Sequence, residues 1–266
     1  MKEWLIAFDI DDTLITDEGK TSTRLNKLLL ELQENNTLLF SSGRPYESIK
    51  SIVETIGLDF EKVYICAFNG SLLMKGNDEI YSHSIDGDDI NKIACFYRDN
   101  HLYVQSYDDG LILFEEPNEY TELEKEITQQ DTKRVEDIPS YKTTVPKMMG
   151  VGHETKVKKA FEIIPADLRS TFHFTITKPF FLETMAKGIS KGEAIEYFIK
   201  NELVGYERTM AFGDSYNDIE MLQQVKYSVS VDNAVDKVKE VAEHTTKSNN
   251  DDGVYCYLNH FIRGMS

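Results

Sequence analysis

Four short stretches place carboxylates, hydroxyls and a lysine where they could hold a divalent cation and an anion. The first is Asp9-Ile10-Asp11-Asp12-Thr13-Leu14. Asp9 and Asp11 are two apart, a spacing that sets both side chains on one face of a strand, and a turn beyond the strand can aim both into a cleft. The second is Phe212-Gly213-Asp214-Ser215-Tyr216-Asn217-Asp218. Its oxygen donors suit Mg2+, which binds one or two carboxylates and keeps positions for water and phosphate. The third is Ser41-Ser42-Gly43-Arg44-Pro45. Gly43 lets backbone approach an anion, Ser42 adds a hydroxyl, and a helix start is expected at Pro45. The fourth is Lys191, in Gly188-Ile189-Ser190-Lys191-Gly192. A cation at a helix start opposes the helix dipole, which points to an anion nearby. Taken singly, each stretch has an ordinary alternative: an acid-rich turn, an Asx-rich helix cap, a turn with a cap, a solvated lysine.

The elements around these stretches explain why they would meet. Residues 4–9 (WLIAFD), 37–41 (TLLFS) and 62–67 (KVYICA) are short apolar runs that end in turns, as buried strands do. Leu25, Leu28, Leu29 and Leu32 recur at helical spacing behind a Thr/Ser cap over 21–35, and a second helix is expected over 45–56. After Lys191 the rhythm returns, with a helix over 190–202, a strand over 208–213, a helix over 217–223 and a strand near 227–231. Buried strands alternating with helices imply a parallel sheet, and ligands bind beyond the carboxyl ends of its strands. The middle of the chain reads differently. Helices near 86–98, 119–130 and 154–164 mix with strands near 102–106, 111–114, 146–152 and 171–177. The expected architecture is therefore α/β, with a Rossmann-like core (1–82 and 186–266) interrupted by an α+β cap (83–185).

Bulk composition narrows the function classes. Lys plus Arg number 29 against 46 Asp plus Glu, a net charge of -17, which repels nucleic acid and anionic lipid. An anion site must then be locally positive. Cys66, Cys95 and Cys256 form no CxxC pair and suit a reducing cytoplasm. The start, Met1-Lys2-Glu3-Trp4, does not read as a signal peptide, and no apolar run reaches the roughly 18–20 residues of a membrane span.

In this order the motifs resemble those of the haloacid-dehalogenase-like superfamily, and of its Cof-type subfamily, whose cap lies between the second and third motifs. DIDDT matches the nucleophile loop, SSGRP the phosphate hydroxyl, ISKG the lysine and FGDSYND the metal acids. Ala67-Phe68-Asn69-Gly70 matches the Asn-Gly after the third strand, and Phe180-Phe181-Leu182-Glu183 the stretch leading from cap to core. Ser42 stands where the family more often has Thr and supplies the same hydroxyl. The motifs cover both ends of the chain; the cap matches only in length and loose pattern. The resemblance implies a Mg2+-dependent phosphatase acting on a small phosphate ester, with Asp9 as nucleophile and Asp11 as general acid and base. It implies a metal held by Asp9, the Asp11 carbonyl and Asp214. Phosphoryl oxygens would be held by Ser42, Lys191, Asn217 and the N–H groups of Ile10 and Gly43. Asp218 would support the metal or orient Lys191, with Arg44 and Asn69 around the site. A phosphomutase on the same core and a non-catalytic phospho-ligand module are the alternatives.

Overall fold

The computed structural model describes residues 4–108, 110–201 and 203–264. Expectations for the first three residues, for Asp109 and for Glu202 lie outside the described residues. The chain divides into two compact units. Met1–Gly43, Ile49–Tyr81 and Ser190–Ser266 form the first, and Arg44–Ser48 and Ser82–Ile189 the second.

The first unit begins with β1 (Leu5–Asp9), buried at every position. A strand buried on both faces reads as one apolar run rather than an alternation. Helix α1 (Thr23–Gln33) starts where the Ser22 hydroxyl accepts the Leu25 N–H at 3.1 Å, and it buries Leu25 and Leu29. Next come β2 (Thr37–Ser41), α2 (Tyr46–Ile56) and β3 (Tyr64–Ala67). A hairpin that the sequence pattern did not suggest follows, β4 (Leu72–Lys75) and β5 (Asp78–Ser82). Its outer strand, Asp-Glu-Ile-Tyr-Ser, lies at the sheet edge, where charge replaces apolar periodicity.

The second unit contains β6 (Ile85–Asp86), α3 (Gly87–Asp99), β7 (Tyr103–Asp108), β8 (Leu111–Phe114), α4 (Glu119–Thr128), β9 (Asp131–Arg134) and α5 (Ile138–Tyr141). It continues with β10 (Thr144–Val145), β11 (Met148–Val151), α6 (Glu154–Glu162), α7 (Ala166–Thr171), β12 (Phe172–Lys178) and β13 (Phe181–Ala186). Six strands form a sheet in the order β12-β13-β11-β7-β8-β9, antiparallel except for the β8–β9 pair. Phe181–Glu183 lies inside this sheet as part of β13, and the chain leaves only after Ala186. One face of the sheet carries Val104, Met148 and Leu182 into an apolar cluster with Ile93, Ala94 and Val157 from α3 and α6.

The first unit resumes with α8 (Lys191–Lys200), β14 (Thr209–Gly213), α9 (Ile219–Gln223), β15 (Tyr227–Ser230), α10 (Asp236–Val241), β16 (His244–Thr245) and α11 (Gly253–Gly264). Its eight-stranded sheet has the order β16-β15-β14-β1-β2-β3-β4-β5, parallel from β16 to β3. Phe8, on β1, stands opposite Phe40 on β2 and Phe212 on β14, and both ring pairs stack at 5.6 Å between centroids. This row locks the register of three strands one residue before their functional ends. Among the described residues, no helix is long and apolar enough to cross a membrane.

Candidate active site

The locked register delivers three of the four sequence motifs to one edge of the first unit's sheet. Asp9 ends β1, opposite Ser41 at the end of β2, and Gly213 ends β14. Past β1 the backbone turns sharply, and Asp12 adopts a left-handed conformation (φ 58°). Side chains other than glycine seldom take this conformation, and such strain collects at functional loops. Asn233 steadies the turn by donating to the Asp12 carbonyl at 2.7 Å.

Lys191 is the first residue of α8 and is buried. Its Nζ donates to Asp9 Oδ1 at 2.5 Å and to Asp218 Oδ1 at 2.6 Å. Burial pulls the lysine's pKa down, but the carboxylates of Asp218 and Asp9 more than offset it, so Lys191 is held cationic. The other Asp218 oxygen accepts the backbone N–H groups of Asp214 and Ser215, both at 3.0 Å. Gly213 permits this closeness, since a Cβ there would sit 2.6 Å from the Asp218 Cβ. Asp214 is held by the Thr13 hydroxyl, which donates to Oδ1 at 2.8 Å.

Carboxylate oxygens of Asp9, Asp214 and Asp218 lie within 4.8 Å of one another. Burial and then the Asp218 charge raise the Asp9 carboxyl well above its ordinary range. The same two causes push Asp214 up to about 6. Three acids share one lysine, so the cluster lacks positive charge. Asp9 Oδ2 is buried without a hydrogen-bond partner. Asp218 already accepts three hydrogen bonds, so Asp9 and Asp214 are the less engaged carboxylates for a cation. An all-oxygen set of this kind fits a hard divalent ion.

The remaining predicted residues divide into groups. The Ser42 hydroxyl lies 3.4 Å from Asp11 Oδ2, and the Ser42 N–H bonds the Cys66 carbonyl. Ile10 is fully buried and its carbonyl accepts the Ile15 N–H. Asn217 donates to Asn69 Oδ1 at 2.9 Å. Asn69 also presses on Gly43, where a Cβ would sit 3.1 Å from its Nδ2. The third strand's Asn-Gly thus ties the Ser42 loop to the Asn217 turn. Arg44 is grouped with the second unit, where it donates to the Ser48 hydroxyl and the Ile127 carbonyl. Sequence inspection did not single out Thr13 or Asn233; a threonine after three acids reads as part of a turn.

Comparison with known proteins identifies the family. The family model for haloacid dehalogenase-like hydrolases matches residues 6–258. A protein of Streptococcus pyogenes serotype M6 that carries a provisional phosphatase name, M6_Spy0533, is 28% identical, with 94% of this chain and 95% of that protein covered. The 5-amino-6-(5-phospho-D-ribitylamino)uracil phosphatase YcsE of Bacillus subtilis is 24% identical, with 97% and 95% covered. The crystal structure of a haloacid dehalogenase-like hydrolase from Bacteroides thetaiotaomicron superposes with a TM-score of 0.91 at 26% identity, covering 98% of this chain and 100% of that one. With the family model spanning nearly its whole length, this chain belongs to the haloacid dehalogenase-like hydrolases.

Proposed function

We propose that the chain is a Mg2+-dependent phosphatase of small phosphorylated metabolites that works through a phosphoryl group carried on Asp9. The observation that carries this reading is the Asp9 carboxylate itself: one oxygen on Lys191, the other buried and open. Mg2+, when held by Asp9, Asp214 and the Asp11 carbonyl, would offset the negative charge between the carboxylate and the phosphoryl group.

In the first half-reaction an Asp9 oxygen attacks phosphorus and the ester P–O bond breaks, while Asp11 gives its proton to the departing alcohol oxygen. In the second, Asp11 takes a proton from water as that water's oxygen attacks the same phosphorus. The bond to Asp9 then breaks and inorganic phosphate leaves. Lys191, Ser42, Asn217 and the N–H groups of Ile10 and Gly43 would hold the phosphoryl oxygens, a positioning role that dominates such transfers. Asp218 acts through Lys191 and the Asp214 loop. The second unit is the cap that reads the organic part of the ester. The ribityl phosphate substrate in the name of the B. subtilis relative supports a small hydroxylated phosphate ester.

The test is phosphate release from a panel of phosphorylated metabolites with purified protein. Turnover is expected with Mg2+, silenced by EDTA and restored by added Mg2+. Equal activity in EDTA would overturn the metal assignment.

A further inference from the structure

The loop that carries Asp9 and Asp11 is held from outside by residues that belong to none of the four motifs. Asn233 Nδ2 donates to the Asp12 carbonyl, and Asn233 Oδ1 accepts the Asn249 N–H at 3.0 Å. The Asn249 side chain is buried, and its Nδ2 donates to the Ile15 carbonyl at 3.1 Å and to Asp17 Oδ1 at 3.2 Å. The two asparagines therefore grip the loop on both limbs, at Asp12 and at Ile15 to Asp17. The same stretch of chain reaches the acid across the site, since the Val235 N–H bonds the Asp214 carbonyl at 3.0 Å. All of these residues lie in the first unit.

The bond to Asp12 matters because of what Asp12 does to its neighbours. Its backbone holds φ 58° and ψ 7°. A residue with a side chain keeps that conformation only where its surroundings enforce it. Asn233 supplies part of that enforcement, because its bond fixes the peptide plane between Asp12 and Thr13. A turn about the Asp12 backbone would carry Asp11 with it on one side. On the other it would carry Thr13, whose hydroxyl bonds Asp214.

Stability alone does not account for this contact. Asn233 is exposed, so water can satisfy the Asp12 carbonyl in its place at little cost. Geometry accounts for it better. A side chain that passes a proton to a departing oxygen works only within hydrogen-bond reach, and a shift of about 1 Å costs much of the rate.

We propose that Asn233 is a positioning residue for Asp11, holding its carboxyl where the departing alcohol oxygen forms, with Asn249 as the buried anchor behind it. The proposal rests on the phosphatase reading and adds a residue to its proton transfer.

The test measures kcat/KM for the full chain, Asn233→Ala and Asn233→Asp, with Mg2+, on p-nitrophenyl phosphate and on the alkyl phosphate of the panel that is turned over fastest. Both variants lose the donor to Asp12, while Asn233→Asp keeps an acceptor for Asn249. This ratio covers the steps up to release of the alcohol. An alkyl alcohol needs the proton of Asp11 to leave, whereas p-nitrophenolate, a weak base, departs without it. Both variants should lose about tenfold on the alkyl ester, stay within about threefold of wild type on the aryl ester and keep Tm within about 2 °C. Four outcomes overturn the proposal while leaving a phosphatase: no loss, equal losses on both esters, a loss in one variant only, or failure of both variants to fold. Absence of turnover on every ester would instead sink the phosphatase reading. Where the wild type turns over only one of the two esters, or neither, hydrogen exchange at the Ile15 amide, which bonds the Ile10 carbonyl across the turn, decides. Faster exchange in both variants at unchanged Tm supports Asn233 as the residue that positions the Asp11 loop, and unchanged exchange overturns it.

Discussion

Asp218 spends both carboxylate oxygens, one on Lys191 and one on two backbone N–H groups. Asp218→Asn keeps the volume but turns one acceptor into a donor, which must then face the ammonium or the amides. We expect kcat to fall by at least about tenfold, measured as phosphate release at saturating substrate. Gly213→Ala should act on the same group from below, because the added methyl collides with Asp218. Its kcat should fall as well, and a Tm measurement should show the strain as a loss of stability. Asp9→Asn should abolish turnover; substantial residual activity would remove Asp9 from the nucleophile role. The residues behind these predictions were visible in the sequence because acids, Ser42 and Lys191 each stood at an expected strand end or helix start. Thr13 escaped notice because its value lies in a bond to Asp214, 201 residues away, and nothing local marks it.

At the scale of elements, the aligned Phe40, Phe8 and Phe212 hold the three strand ends together. Phe8→Ala should destabilise the chain by about 3–5 kcal/mol, read from urea unfolding. The buried strands were legible as apolar runs. Edge strands were not: β5 and β9 (Asp-Thr-Lys-Arg) carry charge in place of periodicity, because they lie at sheet edges. In the second unit Asp137 caps α5 by accepting the Ser140 N–H at 2.9 Å and also pairs with Arg98 at 2.7 Å. The Ser140 bond, foremost, and then Arg98 hold its carboxyl below the ordinary 3.8. A depressed carboxyl stabilises the fold above its unfolded value and loses that contribution as the pH drops through its folded value. Asp137→Asn should therefore lower Tm at neutral pH, and the gap to wild type should narrow as the pH falls below 3.8 and through the lower folded value. A gap that stays constant with pH would contradict this assignment.

At the scale of the whole chain, the two-unit plan followed from the break in alternating rhythm, whereas the polar face of the second unit did not. Its members, Gln105 and Tyr107 on β7, Glu183 on β13 and Lys147 just before β11, are brought side by side only by antiparallel register. A sequence displays alternation along one strand, not the partner across the sheet.

The nested connectivity has a consequence during synthesis. Strand β1 pairs on one side with β2 and on the other with β14, made of residues Thr209–Gly213. A ribosome adding about 5–20 residues per second needs roughly 10–40 s to travel between them. For that interval β1 is an uncovered edge, and edges of this kind recruit strands from other chains. The residues of the second unit are all made by Ile189, so its own hydrophobic cluster can close first. A chain stalled between residues 190 and 208 would then carry a folded insert tethered to an adhesive apolar strand, a product that calls on chaperones or proteolysis rather than on refolding.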